Sequence, residues 1–212
     1  MFASGLARFF HPAGEKGPWP PFAYFSRPPR LETEHLLLRP LSRKDAGDIY
    51  AYASDPEVAR YVLWEPHRSP ADSRAYVRYV LSLYRRGLPS CWAAEERTSG
   101  RVIGTIGFMW YSEAAQSAEV GYSFSREVWN RGYATEALRA VLYSAFSLLP
   151  LNRVEAQHDV RNPASGRVMV KAGMTRESIL RQRVFNKGEW IDVALYSILR
   201  QDPAWQRQNL GS

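Results

Sequence analysis

Ser125-Arg126-Glu127-Val128-Trp129-Asn130-Arg131-Gly132-Tyr133-Ala134-Thr135-Glu136-Ala137 joins a strand-like run, Ala118-Glu119-Val120-Gly121-Tyr122-Ser123-Phe124, to a helix-like run that ends near Leu149. The first N–H groups of a helix have no intrahelical acceptor, and the helix start carries about half a positive charge. Gly132 lets a bulky anion reach that backbone. A phosphate is therefore well placed at the helix entry by Gly132 and the small Ala134, with Arg126, Arg131 and Arg139 as candidates to add charge-assisted bonds. The plainer alternative is a tight strand-to-helix turn.

Working toward the N-terminus, Cys91-Trp92-Ala93-Ala94, a turn at Arg97-Thr98-Ser99-Gly100, and Val102 to Phe108 form a hairpin pattern. With Ala118 to Phe124 they make a three-strand meander. Upstream, Leu36-Leu37-Leu38-Arg39-Pro40-Leu41 reads as a strand leading through Ser42-Arg43-Lys44-Asp45 into a capped helix. Ser69-Pro70-Ala71-Asp72 starts another helix, with Tyr76, Tyr79, Val80 and Leu83 on one face and Gly87 at its end. Downstream follow a strand over Arg153 to His158, a helix over Pro163 to Ala172, and two last strands near Thr175 to Phe185 and Glu189 to Leu199. Helices and strands mixed in this order imply an α+β fold, one domain around a central sheet.

Residues 1–31, with Pro12, Pro18, Pro20, Pro21, Pro28 and Pro29 among Trp19, Phe22, Tyr24 and Phe25, read as an extended proline- and aromatic-rich arm, either a disordered terminus or one whose aromatics dock in part onto the domain or a second subunit. The domain is expected over 32–200 and a tail over 201–212. A chain of 212 residues, 45% hydrophobic and 23% charged, is long enough to bury one core without a metal or disulfide staple. The single cysteine, Cys91, excludes an intrachain disulfide framework and points to a cytoplasmic protein. The four histidines are scattered without ligand spacing, so no metal is expected. No apolar run reaches the ~18–20 residues needed to span a bilayer, and no signal core follows the start. The net charge of +7 rests on arginine without any basic run, so it points to a solvated surface or an anionic partner and not to nucleic acid.

A second constellation is Asn162-Pro163-Ala164-Ser165, followed by Lys171-Ala172-Gly173-Met174. Taken alone, Asn162 is a helix cap and Ser165 a first-turn hydroxyl. Together with the glycine-led turn, the AEVGY segment, the opening LLLRPL and the closing Gly188-Glu189-Trp190-Ile191-Asp192, they give the chain a wider likeness. From about Glu34 to Ser197 it resembles the Gcn5-related N-acetyltransferase (GNAT) superfamily, in particular its ribosomal-protein-type branch. The superfamily's phosphate loop usually begins with Gln or Arg, where this chain has Trp129.

The resemblance implies a mostly antiparallel, splayed sheet and transfer of acetyl from acetyl-coenzyme A to a primary amine by direct attack. It places the cofactor along Val120, Gly121 and Tyr122, on the loop from Arg126 through Arg131 to Thr135, and against Asn162 and Lys171. Backbone N–H groups near Gly121 and Tyr122 would polarise the thioester carbonyl. Ser165, aided by Asn162, is the first candidate to protonate the departing thiolate, with Tyr122 and Tyr196 as alternatives. Glu119 is the favoured base, expected to be buried enough to raise its pKa, with an arginine-paired structural carboxylate as the alternative and His158 as a weaker base. The acceptor walls are expected from Trp64, Glu65, Trp110, Arg183, Phe185 and Trp190. Few carboxylates lie nearby, which favours a protein N-terminus over a polyamine or aminoglycoside. A small-amine enzyme and an idle coenzyme A-binding module are the other readings, and a monomer or a homodimer is expected.

Overall fold

Why the chain turns where it does is visible in its caps. A computed structural model describes residues 8–10, 18–203 and 205, with 8–10 described by backbone alone. Strand β1 (Arg8–Phe10) pairs antiparallel with β2 (Arg30–Glu32), and helix α1 (Pro21–Ser26) lies between them in sequence. Strand β3 (Leu36–Pro40) ends at Pro40, and Asp45 accepts a bond from the Ser42 N–H at 2.7 Å just before α2 (Ala46–Ala53). Helix α3 (Pro56–Ala59) is a single turn capped by Asp55. Helix α4 (Pro70–Arg86) begins where Asp72 accepts from the Ser69 N–H at 2.9 Å and stops at Gly87.

The meander is β4 (Cys91–Glu96), β5 (Val102–Ser112) and β6 (Ser117–Phe124), followed by α5 (Tyr133–Leu148), β7 (Arg153–Asp159), α6 (Pro163–Lys171) and the hairpin β8 (Thr175–Asn186) with β9 (Glu189–Leu199). Among the described residues the sheet has nine strands in the order β1-β2-β3-β4-β5-β6-β7-β9-β8. Only β6 and β7 pair in parallel, which gives the mixed, mostly antiparallel α+β sheet expected. The main core lies between this sheet and α1, α5 and α6; a second cluster lies under α2 and α4 on the other face.

Of the two readings of the arm, docking onto the domain agrees with the structure, and the domain boundary expected at residue 32 needs correction. From Pro18 on the arm belongs to the domain: Trp19, Tyr24 and Phe25 are buried in the main core, and the Tyr24 hydroxyl is 2.9 Å from Ser144 Oγ in α5. Proline permits this because Pro20 and Pro21 sit at the cap and first position of α1, where no backbone donor is needed. Side chains of the arm before Pro18 lie outside the described residues. The tail boundary moves too, since Trp205 is buried against Phe146 with ring centroids 4.8 Å apart. Residues 206–212 lie outside the described set.

Candidate active site

Strands β6 and β7 stay paired only from Ser117↔Arg153 to Glu119↔Glu155. From Val120 onward the two strands part, so the side of β6 that faces β7 has no ladder partner. A cleft of about 370 Å³ opens at this point. It is lined by β4, β5 and β6, by the ends of β7 and α6, by α4, and by the 61–64 segment.

Alternation along β6 divides the chemistry between the two faces of the sheet. Val120, Tyr122 and Phe124 face α5 and α6, as the main core cluster and the Tyr122 contact to Ser165 show. Glu119, Gly121 and Ser123 face α2 and α4: Ser123 Oγ lies 3.5 Å from Thr105 Oγ1, which Tyr52 of α2 reaches at 3.4 Å. Glu119 accepts from Trp110 Nε1 at 2.7 Å and from Gln157 Nε2 at 3.0 Å. Half-buried and held by two neutral donors, it has no ion-pair partner among the described residues. The arginine-paired reading is therefore excluded, and so is a secluded carboxylate in an apolar strand, because the next strand supplies Gln157 and the cleft admits solvent.

On the opposite face Ser165 sits in the first turn of α6. Asn162 caps that helix, its Oδ1 3.3 Å from the Ser165 N–H. The Tyr122 hydroxyl donates to the Ser165 carbonyl at 2.9 Å and lies 3.0 Å from Ser165 Oγ. Burial pushes the Tyr122 hydroxyl far above its ordinary pKa, against a smaller opposing effect of the Ser165 bond. It remains a proton-bearing partner of Ser165 at any working pH. His158 faces α6 as well: its Nδ1 lies 2.7 Å from the Asp159 carbonyl, and its Nε2 is buried without a partner. A carbonyl only accepts, so Nδ1 carries the proton. His158 is thus on the face opposite Glu119. Tyr196 is buried beside it, ring centroids 5.5 Å apart.

The glycine-led turn has the geometry an anion needs. Asn130 (φ 61°) and Gly132 (φ 90°) are both left-handed, and α5 then starts with no side-chain cap. Space beside Gly132 is open among the described residues, which leaves an approach to the start of α5. Trp129 does not face the turn: its indole N–H donates to the Phe124 carbonyl at 2.9 Å and pins the turn to the end of β6. Arg126 pairs with Asp55 at 3.0 Å, and the Arg131 guanidinium lies over the Tyr133 ring. Tyr133 itself is buried, donating to Glu96 at 2.8 Å. Arg139 donates to the Lys171 carbonyl, and the Lys171 side chain is exposed and does not line the cleft. Uncapped N–H groups, an open approach and a parted strand edge suit the pyrophosphate and pantetheine of acetyl-coenzyme A.

The expected acceptor walls are corrected in part. Trp64 lines the cleft, and Trp110 acts through its bond to Glu119. Glu65, Arg183, Phe185 and Trp190 do not line it. In the β8–β9 hairpin Val184 pairs with Ile191 and these two face the cleft, so period-two alternation sends the paired Phe185 and Trp190 to the outside, rings 5.2 Å apart. Leu63 lines the cleft beside Trp64, in the loop from Tyr61 to Arg68 that the resemblance places there; the walls absent from the sequence reading are Met109 and the α4 face of Tyr76 and Tyr79. The spacing of that face predicts burial, which holds for Val80, but Tyr79 is 60% exposed at the cleft. No helix among the described residues is long and apolar enough to cross a membrane.

Comparison with known proteins agrees with this geometry. The acetyltransferase (GNAT) domain family matches residues 35–175. The N-acetyltransferase YoaA of Bacillus subtilis is 35% identical over 172 residues, covering 81% of this chain and 97% of that protein. An acetyltransferase of the GNAT family from Bacillus anthracis superposes with a TM-score of 0.73 at 28% identity, covering 82% of this chain and 99% of the other. A more distant relative, the [ribosomal protein uS5]-alanine N-acetyltransferase of Escherichia coli, is 23% identical and covers 85% of this chain and 97% of its own. With a parted β6–β7 pair, an uncapped glycine-led helix start and these relatives, the chain belongs to the GNAT family and is an acetyl-coenzyme A-dependent N-acetyltransferase.

Proposed function

We propose that the acceptor is the α-amine of a protein or peptide N-terminus, acetylated in the cytoplasm by direct attack across the gap between β6 and β7. The observation that carries this reading is the placement of Glu119 on one face of the parted strand and of Ser165 with Tyr122 on the other. Acetyl-coenzyme A supplies the acetyl group as a thioester. Glu119, oriented by Trp110 and Gln157, receives the proton the amine loses. Backbone N–H groups of β6 past Glu119, free of ladder partners, stabilise negative charge on the acetyl oxygen. Ser165 gives its proton to the departing sulfur and is held in place by the Tyr122 hydroxyl, which donates to the Ser165 carbonyl and lies 3.0 Å from its Oγ.

The charge of the cleft supports a single amine. Among the described residues no lysine or arginine lines it, and of the two carboxylates that do, Asp159 is bound by Arg161 at 2.9 Å, which leaves Glu119. A polyamine would leave several cations without partners. The uS5-directed relative supports a protein acceptor. Thiol release with acetyl-coenzyme A over unblocked peptides, N-formylated peptides, polyamines and aminoglycosides tests the reading. Turnover restricted to free peptide amines is expected; a polyamine or aminoglycoside turned over as fast as any peptide overturns it.

A further inference from the structure

We infer that the acceptor carries a bulky, uncharged, apolar group on the carbon next to its amine. For a peptide acceptor this means a first residue such as leucine, methionine or phenylalanine. The inference rests on the proposed function for the word peptide alone; the pocket argument stands for any amine.

The reasoning starts at Gly121, on the same face of β6 as Glu119. A side chain there would reach Met109 Sδ at 3.0 Å, so Met109 lies directly over the strand where the acetyl group is to be delivered. Met109 is the extra residue of a bulge in β5 between Phe108 and Trp110. Trp110 thereby pairs with Glu119 while Met109 remains in the cleft. Gly107 is the register partner of Gly121, and Cys91 that of Gly107, so the floor runs across three strands with two glycines in the row. Tyr61, Leu63, Tyr76, Tyr79 and Leu83 wall this floor.

Two features indicate that a ligand group covers these walls. Leu63, Tyr79 and Met109 are 64%, 60% and 59% exposed, and all three border the same hollow. Exposed apolar area of this kind gains by being covered. At the inner end Tyr76 and Cys91 hydrogen-bond each other, hydroxyl to thiol, at 3.2 Å. Both stay uncharged, burial holding the Cys91 thiol at about 11, so the end of the pocket offers no counter-charge to a lysine or aspartate side chain. Among the described residues no lysine or arginine lines the cleft to pair a free α-carboxylate, so a blocked or peptide-linked carboxyl is preferred over a free amino acid.

The test is kcat/KM for a peptide series that differs only in its first residue (Leu, Phe, Ala, Asp or Lys), with leucinamide against leucine and with 2-phenylethylamine. Leu- and Phe-first peptides are expected to exceed Ala-, Asp- and Lys-first ones by roughly ten- to a hundredfold, and leucinamide to exceed leucine. Met109→Glu, at an exposed position that folding tolerates, is expected to lower the Leu-first value about tenfold and raise the Lys-first value. Its thermal stabilisation by acetyl-coenzyme A is expected to be kept. Equal rates across the series, or preference for an Ala-, Asp- or Lys-first peptide, overturn the inference while leaving the peptide reading intact. Turnover of 2-phenylethylamine without any peptide supports the pocket and overturns the peptide reading.

Discussion

Glu119, Ser165 and Tyr122 are the residues to which we assign the chemistry, and each assignment has an expected signature. Glu119→Gln keeps the size of the side chain but removes the proton acceptor. Its kcat/KM is expected to fall by roughly 10²–10³ near pH 7 and to recover partly as pH rises past ~7.7–8.0, where an N-terminal amine sheds its proton to water. A pH–rate profile of the variant checks this; a loss independent of pH would make Glu119 a purely structural carboxylate. Ser165→Ala and Tyr122→Phe remove neighbouring hydroxyls 3.0 Å apart. Each single change is expected to lower kcat about tenfold and the pair little more than Ser165→Ala alone, because Tyr122 acts through Ser165, with KM for acetyl-coenzyme A little altered. Ser165→Ala at full rate with a good acceptor would remove Ser165 from the mechanism.

At the scale of elements, the start of α5 and the β7–β8–β9 corner do separate jobs. Gly132 holds φ at 90°, a conformation that costs other residues about 1–2 kcal/mol. Gly132→Ala is expected to lower Tm by a few degrees and to shrink the Tm rise that acetyl-coenzyme A produces, both read from one thermal melt series. In the corner, Arg153 of β7 pairs with Glu177 of β8 at 2.6 Å, and Ser197 of β9 donates to the same carboxylate. The Arg153 bond, then the Ser197 bond, hold the Glu177 carboxyl at about 2. A carboxyl depressed on folding stabilises the folded state above its ordinary pKa of ~4.3, and that contribution is lost as pH falls toward 2. Urea midpoints of the wild type should therefore fall between pH 5 and 2 more steeply than those of Glu177→Gln. The difference will be small, because the pair is partly exposed.

For the whole molecule, the segment before β3 completes the core. Trp19, Tyr24 and Phe25 are almost fully buried, and Tyr24 satisfies the fully buried Ser144 of α5. Deleting residues 1–27 is expected to lower the urea midpoint sharply, since loss of even one buried aromatic costs about 3–5 kcal/mol. An unchanged midpoint would restore the picture of a detached arm. Much was legible in the sequence because its causes are local. Turn and cap residues marked α4, α5 and α6, alternation marked the meander, and Gly132 marked the anion-binding turn. Three things were not. The first 31 residues looked like an arm because proline density forbids a long helix but not the single turn of α1. Phe185 and Trp190 looked like cleft walls because composition does not say which way a strand's two faces point. Glu119 looked secluded because its partners come from residues 110 and 157. By itself the sequence determined the family, the order of strands and helices from β3 onward and the glycine-led turn, since these follow from residue type and spacing along the chain. Only the tertiary structure decided that Glu119 and Ser165 stand on opposite faces of β6 and that Met109 and α4 line the cleft, because register, bulge and the parting of β6 from β7 depend on contacts between residues far apart in the chain.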